Sequence, residues 1–206
     1  MGITERRERE REEIRKKILD AARELFAAEG YEKVTMRRIA EAIEYSPTTI
    51  YLHFEDKDDL VRALCEADCR RLLEAMESVG TPGDPIEELR ELGRAYATFA
   101  LRFPNHYRFL FMTPLAKHEE IAPDDPGAQS FGRLLDAVRR AQAKGRLRPI
   151  DGLAAAQVLW SSLHGAVALL ITVPKECWPK GQAVPDLVER VIENNLRGLI
   201  AIPAEV

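Results

Sequence analysis

Apolar positions recur along most of the chain at i, i+3 and i+4, and no stretch alternates apolar with polar residues long enough to make a strand. The pattern predicts an all-α protein. A first helix starts inside a charged arm, carries Ile14, Ile18, Ala21, Ala22, Leu25 and Phe26 on one face, and stops at Gly30 in a left-handed conformation. A short second helix starts at Thr35, whose hydroxyl can cap it, and buries Ile39, Ala40 and Ile43. A third starts at Ser46 with Pro47 in its first turn and ends near Phe54.

Asp56 and Asp59 mark the start of a longer helix bearing Leu60, Val61, Leu64, Leu72, Leu73 and Met76, and Thr81-Pro82-Gly83-Asp84-Pro85 breaks it. Beyond lie a helix to about Arg102, a short one after Pro104, and a loop rich in Pro, Asp and Gly from Pro114 to Gly127. A helix ending at Gly145 and two more, over about 151–173 and 185–201, complete the chain, the last two separated by Pro174, Pro179 and Pro185. The expected division is an N-terminal three-helix domain, residues 1–55, and a C-terminal helical bundle, residues 56–206.

With a net charge of −4, the whole molecule has no long-range attraction for nucleic acid, so any such binding must come from a local basic face. The opening ITERREREREEIRKK lacks the apolar run of a secretory signal. The longest membrane-span candidate, around Ala154 to Val173, is interrupted by Gln157, Ser161, Ser162, His164 and Thr172, so a cytoplasmic location without membrane contact is expected. The three cysteines, Cys65, Cys69 and Cys177, fit a reducing compartment. Cys65 and Cys69 lie four apart on a predicted helix without a nearby third ligand, so burial is expected there rather than a metal; no metal or cofactor is expected elsewhere.

The segment TMRRIAEAIEYSPTTIYLHF holds two short helices joined by a tight connection, the form of a helix-turn-helix. From Tyr45 to Phe54 there is no carboxylate, and Ser46, Thr48, Thr49, Tyr51 and His53 offer hydrogen-bonding groups, flanked by Arg37, Arg38 and Lys57. Phe54 reads as a core aromatic and Tyr51 as a phosphate contact. The arginines of the opening arm alternate with glutamates at spacings that pair along a helix, which favours a solvated surface over a groove-tracking arm.

At these residues the sequence resembles the tetracycline-repressor (TetR) family of bacterial regulators. The resemblance runs from Ala21-Ala22-Arg23-Glu24-Leu25-Phe26 through Gly30-Tyr31, Thr35 and Ile39-Ala40 to Ile50-Tyr51, His53-Phe54, Lys57 and Leu60. It departs where the family usually has glycine in the turn, here Glu44, and at Tyr45 and Thr48, which bears on the operator sequence. A branch in which Trp and a His-Gly pair share a helix is similar at Trp160 and His164-Gly165.

The resemblance implies a dimeric repressor of palindromic double-stranded DNA, released by a small-molecule effector. Carried onto matching positions, it makes Arg38, Tyr45, Thr48 and Thr49 base-side candidates. Thr35, Ser46, Tyr51, His53 and Lys57 become phosphate-side candidates, with Arg37 and Pro47 beside them. The last two helices, with Ala155, Leu159, Leu163, Val167 and Leu170 on one and Leu187, Val188, Val191, Ile192, Leu196, Leu199 and Ile200 on the other, are expected to join a homodimer. A largely apolar effector is expected between the helices spanning roughly 85–173, near Met76, Phe99, Phe103, Tyr107, Phe111, Trp160 and His164. His164 reads first as a satisfied core histidine. The helix from Asp56 to Met76 is the expected lever to the DNA-reading helix.

Two rival readings are weaker. No G-x-S-x-G elbow, phosphate loop, dinucleotide fingerprint or H-E-x-x-H pair is present, His118-Glu119 lacking the second histidine, so catalysis is not expected. A purely structural adaptor leaves the carboxylate-free polar face of the third helix unexplained.

Overall fold

The computed structural model describes residues 2–113, 122, 124–178 and 184–201. The helices are α1 (Ile3–Glu29), α2 (Met36–Ala42), α3 (Pro47–Tyr51), α4 (Lys57–Glu77), α5 (Pro85–Arg102), α6 (Pro104–Met112), α7 (Pro126–Ala143), α8 (Gly152–Thr172) and α9 (Val184–Leu199), with a 3₁₀ turn at Lys175–Cys177. Among the described residues there is no strand, only an isolated antiparallel bridge between Leu147 and Ile200. The fold is all-α.

Two compact units emerge, one comprising Met1–Cys69 and Asn105–Glu120 and the other Arg70–Pro104 and Ile121–Val206. The division thus falls inside α4 rather than at residue 55, and the first unit takes in most of α6. Its core explains why. Ile18, Ala22 and Phe26 from α1 meet Ile39, Ala40, Ile50, Phe54, Leu60 and Leu64, and Phe109 of α6 is buried among them. Phe109 stacks on Phe26 with ring centroids 5.7 Å apart. Each fully buried side chain of this size stabilises by about 1.5–3 kcal/mol, so α6 is held to this core by apolar burial.

A buried ionic cluster adds to it. The Asp68 carboxylate on α4 accepts from Arg23 of α1, Nε to Oδ2 at 2.8 Å and Nη2 to Oδ1 at 2.7 Å. It also lies 2.9 Å from His106 Nδ1 on α6. Burial pushes the Asp68 carboxyl up, but the bonds to His106 and Arg23 outweigh it and hold it below the usual carboxylate range.

In the second unit α5, α7, α8 and α9 pack on one another. Glu88 on α5 is fully buried and accepts from Arg133 and Arg140 of α7. Arg94 and Arg90 of α5 pair with Glu189 and Glu193 of α9. Gly93 lets α5 close on α9 and α8: a Cβ there would lie 3.1 Å from Ile192 Cδ1 and 3.6 Å from Leu163 Cδ2.

Several details differ from the sequence expectations. Gly30 has φ 83° but ψ 157°, so it ends α1 in an extended conformation open to glycine rather than in a left-handed helical turn. α3 stops at Tyr51, with Leu52 as its C-cap, because the chain turns inward to bury Phe54. Gly127 is already helical: Asp125 caps α7, accepting from the Gly127 and Ala128 amides, and Pro126 leads the helix. Cys65 and Cys69 are only half-buried and Cys177 is exposed. Most of the connection from Pro114, including His118-Glu119, and the Pro179 break lie outside the described residues.

α8 also corrects the membrane comparison, since its 21 residues are long and apolar enough to cross a bilayer by length and composition despite the polar interruptions. Its Ala155, Ala156, Leu163, Ala166 and Val167 are buried, and the helix packs on α5, α7 and α9 as part of the bundle.

Candidate nucleic-acid interface

The Thr35 side chain caps α2, its Oγ1 accepting from the Arg38 amide at 3.1 Å. At the other end the Tyr45 amide donates to the Ala40 carbonyl at 3.0 Å and the Glu44 amide to that of Glu41 at 3.2 Å. This pair of bonds is a Schellman closure, and it places Glu44 where the backbone must be left-handed. Glu44 has φ 59° and, among the described residues, no other non-glycine residue has a positive φ. The departure from glycine is therefore accommodated by strain, not by a different turn.

Ser46 then caps α3, its Oγ accepting from the Thr49 amide at 3.2 Å and lying 3.0 Å from Thr49 Oγ1, with Pro47 at the first helical position. Ile50 is fully buried and fixes the roll of the short helix. Pro47, Thr48, Tyr51 and Leu52 consequently face solvent, with Tyr51 55% and Leu52 70% exposed, while Tyr45 and Thr49 are half-buried. Leu52 is the exposed apolar group that hydrogen-bonding chemistry alone did not single out; its place between Tyr51 and the buried Phe54 was the available signal.

The flanking cations are engaged. Arg37 Nε bonds Glu41 Oε1 at 3.0 Å and Arg38 Nη2 bonds Glu29 Oε1 at 3.1 Å, both at the exposed surface, where such pairs are weak and readily exchanged for phosphate. Lys57 is differently placed. Its Nζ donates to the Tyr31 carbonyl at 2.5 Å and sits 3.8 Å from the centroid of the Tyr31 ring, and burial lowers its pKa. The Tyr31 hydroxyl, pushed up to about 12 by burial and by its bond to Asp58, completes that group.

His53 is half-buried, its Nδ1 enclosed without a hydrogen-bond partner, and burial followed by the charges of Arg11 and Arg15 lowers its pKa. Arg15 donates from Nη1 to the His53 carbonyl at 3.2 Å and lies 4.4 Å over the Phe54 ring.

The proposed effector residues fall in both units. In the first, Tyr107 is fully buried and its ring lies 5.1 Å from that of Phe111. In the second, Met76 and Phe99 are buried, and Phe103 lies 5.9 Å from Phe99 under the guanidinium groups of Arg71 and Arg102. Trp160 and His164 share α8, with ring centroids 5.8 Å apart. His164 Nδ1 lies 3.1 Å from the hydroxyl of the buried Tyr96, and Phe131 packs edge-on to Trp160. Burial lowers the pKa of His164. Among the described residues no three His, Cys, Asp or Glu side chains are grouped to hold a metal ion.

Two family profiles match the chain: residues 18–64 match "Bacterial regulatory proteins, tetR family" and residues 89–194 match "Tetracyclin repressor-like, C-terminal domain". The chain belongs to the tetracycline-repressor family. The HTH-type transcriptional repressor Rv1474c of Mycobacterium tuberculosis is 44% identical to it over 69 residues, 34% of this chain and 37% of that protein. The HTH-type transcriptional repressor AcnR of Corynebacterium diphtheriae is 37% identical over 78 residues, 38% of this chain and 39% of that protein. The match thus spans less than two fifths of these relatives.

Solved TetR-family structures share the fold across nearly the whole chain. A transcription regulator from Marinobacter aquaeolei superposes with a TM-score of 0.72 at 20% identity, covering 96% of this chain and 100% of that one. The regulator PfmR from Thermus thermophilus gives 0.70 at 21% identity, covering 87% and 97%.

Proposed function

We propose that this TetR-family chain is a cytoplasmic transcriptional repressor, not an enzyme, which reads palindromic duplex DNA with α3 and releases it when a small, largely apolar effector binds. The observation that carries this is the capped, carboxylate-free α3 held with Thr48, Tyr51 and Leu52 outward by the single buried anchor Ile50. Thr49, Thr48, Tyr45 and Arg38 are assigned to bases, and Thr35, Ser46, Tyr51 and the Arg37 side to phosphates. His53 and Lys57 are less available to phosphates than their types suggest, because Lys57 Nζ is held by the Tyr31 carbonyl and ring and His53 Nδ1 is enclosed.

The same reading makes the protein a homodimer through α8 and α9. The α8 and α9 residues first expected at the contact, among them Ala155, Leu163, Val167, Val188, Ile192, Leu196 and Leu199, are buried within the subunit, and the apolar groups left for a second copy to cover are Val158 and Leu169, exposed on one side of α8. For the effector, the Tyr96–His164 pair beside Trp160 and Phe131 supplies one polar contact in apolar surroundings. Release requires the effector to prefer one of two conformations, and a coupling of about 1–3 kcal/mol would weaken operator binding roughly 5- to 150-fold. α4, which runs through Cys69 and Arg70 where the units divide, is the proposed lever.

The test is a gel shift against the DNA upstream of the protein's own gene. Tyr51→Phe should weaken binding to all operators alike, and Thr49→Ala should change preference among them. Wild-type affinity in both variants overturns the assignment. Titration with hydrophobic compounds, following tryptophan fluorescence and operator binding together, tests release.

A further inference from the structure

α1 runs 27 residues from Ile3, yet its core contacts begin only at Ile14 and Ile18, so its first turns stand clear as an exposed helix. At 3.6 residues per turn, Arg7, Arg11 and Arg15 fall four apart in one column, within an arc of about 80° that contains no carboxylate over residues 3–28. Ile18 and Ala22 continue that same column into the core. The arginines therefore lie on the side of α1 that faces the helix-turn-helix, while Glu5, Glu8 and Glu12 occupy the neighbouring face.

The pairing expected of the arm is realised for Arg6 with Glu10 at 3.1 Å, but among the described residues neither Arg7 nor Arg11 has a carboxylate within ion-pair distance. Like charges at i, i+4 oppose the helix, each pair by about 0.2–0.5 kcal/mol, so this column is one that an anionic partner would relieve. Its inner end already touches the reading head, where Arg15 bonds the His53 carbonyl and covers Phe54 just beyond α3. Arg11 is close enough to act on the His53 ring, joining Arg15 in lowering its pKa.

We propose that the Arg7–Arg11 column of α1 is a second DNA-contact surface, laid along the phosphate backbone of the duplex outside the segment read by α3. Successive arginines advance about 6 Å along the helix axis, a step comparable to the spacing of phosphates along one DNA strand. The contact is electrostatic and indifferent to sequence. It rests on the DNA-binding reading above and extends the footprint of each reading head beyond it.

The experiment compares wild type with Arg7→Gln/Arg11→Gln, both positions being exposed and glutamine a good helix former. Affinity is measured across salt concentrations on the protein's operator, once trimmed to the bases read by α3 and once with about ten base pairs, one helical turn, added on each side. On the long duplex the slope of log affinity against log salt should become shallower by about 2 per reading head in the variant, since each lost phosphate contact contributes about 0.9. On the trimmed duplex the two proteins should have equal slopes. Glu8→Gln/Glu12→Gln, on the adjacent face, should not weaken binding to either. Equal slopes for wild type and arginine variant on the long duplex overturn the inference, as does a loss that is the same with and without flanking DNA. A wild type that binds neither duplex overturns the DNA-binding reading itself.

Discussion

Replacing Asp68 by alanine isolates the ionic cluster that joins α1, α4 and α6. Asp68 is 1% exposed and Arg23 6%, so the substitution leaves a guanidinium shut away from water without its bidentate partner. Breaking a buried pair from one side costs about 3–5 kcal/mol where the remaining charge is left desolvated and uncompensated; Arg23 keeps one ion pair, with the exposed Asp20 at 2.7 Å, so the lower end of that range applies. The exposed Arg6–Glu10 pair, at 79% and 58% exposure, provides the contrast: such pairs contribute about 1 kcal/mol at most. Asp68→Ala is therefore expected to lower unfolding free energy by about 3 kcal/mol and Arg6→Gln by less than about 1.

Urea unfolding followed by far-ultraviolet circular dichroism measures this, because both tryptophans, Trp160 and Trp178, belong to the second unit and their fluorescence reports on it alone. The folded Asp68 carboxyl titrates below its unfolded value of about 3.9, so its contribution is complete above that pH and is lost as pH falls through the folded value. The gap between wild type and Asp68→Asn should be constant near neutrality and narrow below about pH 4. An Asp68→Ala loss under about 1 kcal/mol at pH 7, no greater than for a surface pair, would refute the reasoning.

Glu44→Gly should stabilise the protein by about 1 kcal/mol or less, since relief of a left-handed residue returns about 1–2 kcal/mol and glycine's backbone freedom removes about 0.5–1; a lower denaturation midpoint would contradict it. Removing the carboxylate from the turn should also tighten DNA binding, more at low salt than at high. His53 and His164 both have lowered pKa values and must take up protons on unfolding, so stability should decline as pH falls below about 6.5; His164→Gln should flatten that dependence in urea melts. Val158→Glu/Leu169→Glu, on the exposed side of α8, should sediment as a monomer with its helix content intact; an unchanged dimer would exclude that face as the contact.

The helices and their caps were legible because the signals are local. Thr35, Ser46 and Asp125 sit within three residues of the amides they cap, and the apolar column of α1 repeats with helical period. The ionic clusters were harder to read. Asp68 interrupts the row Leu60, Leu64, Leu72 and Met76, which signals a buried carboxylate, but Arg23 lies 45 residues away and nothing local points to it. Glu88 was hidden in the same way, since Arg133 and Arg140 come from another helix. The hydrogen-bonding groups exposed along α3 were legible as residue types, whereas the inward turn of Lys57 and of His53 Nδ1 depends on Tyr31 and on the packing around Phe54.

The interrupted first unit constrains how reading heads can be exchanged between relatives. A graft cut after residue 69 carries α3 but parts Phe26 from Phe109, which stacks on it, and Asp68 from His106. A chimera that keeps its head intact has to transplant two separate stretches of chain. A single crossover between residues 69 and 105 therefore separates α6 from the core it completes.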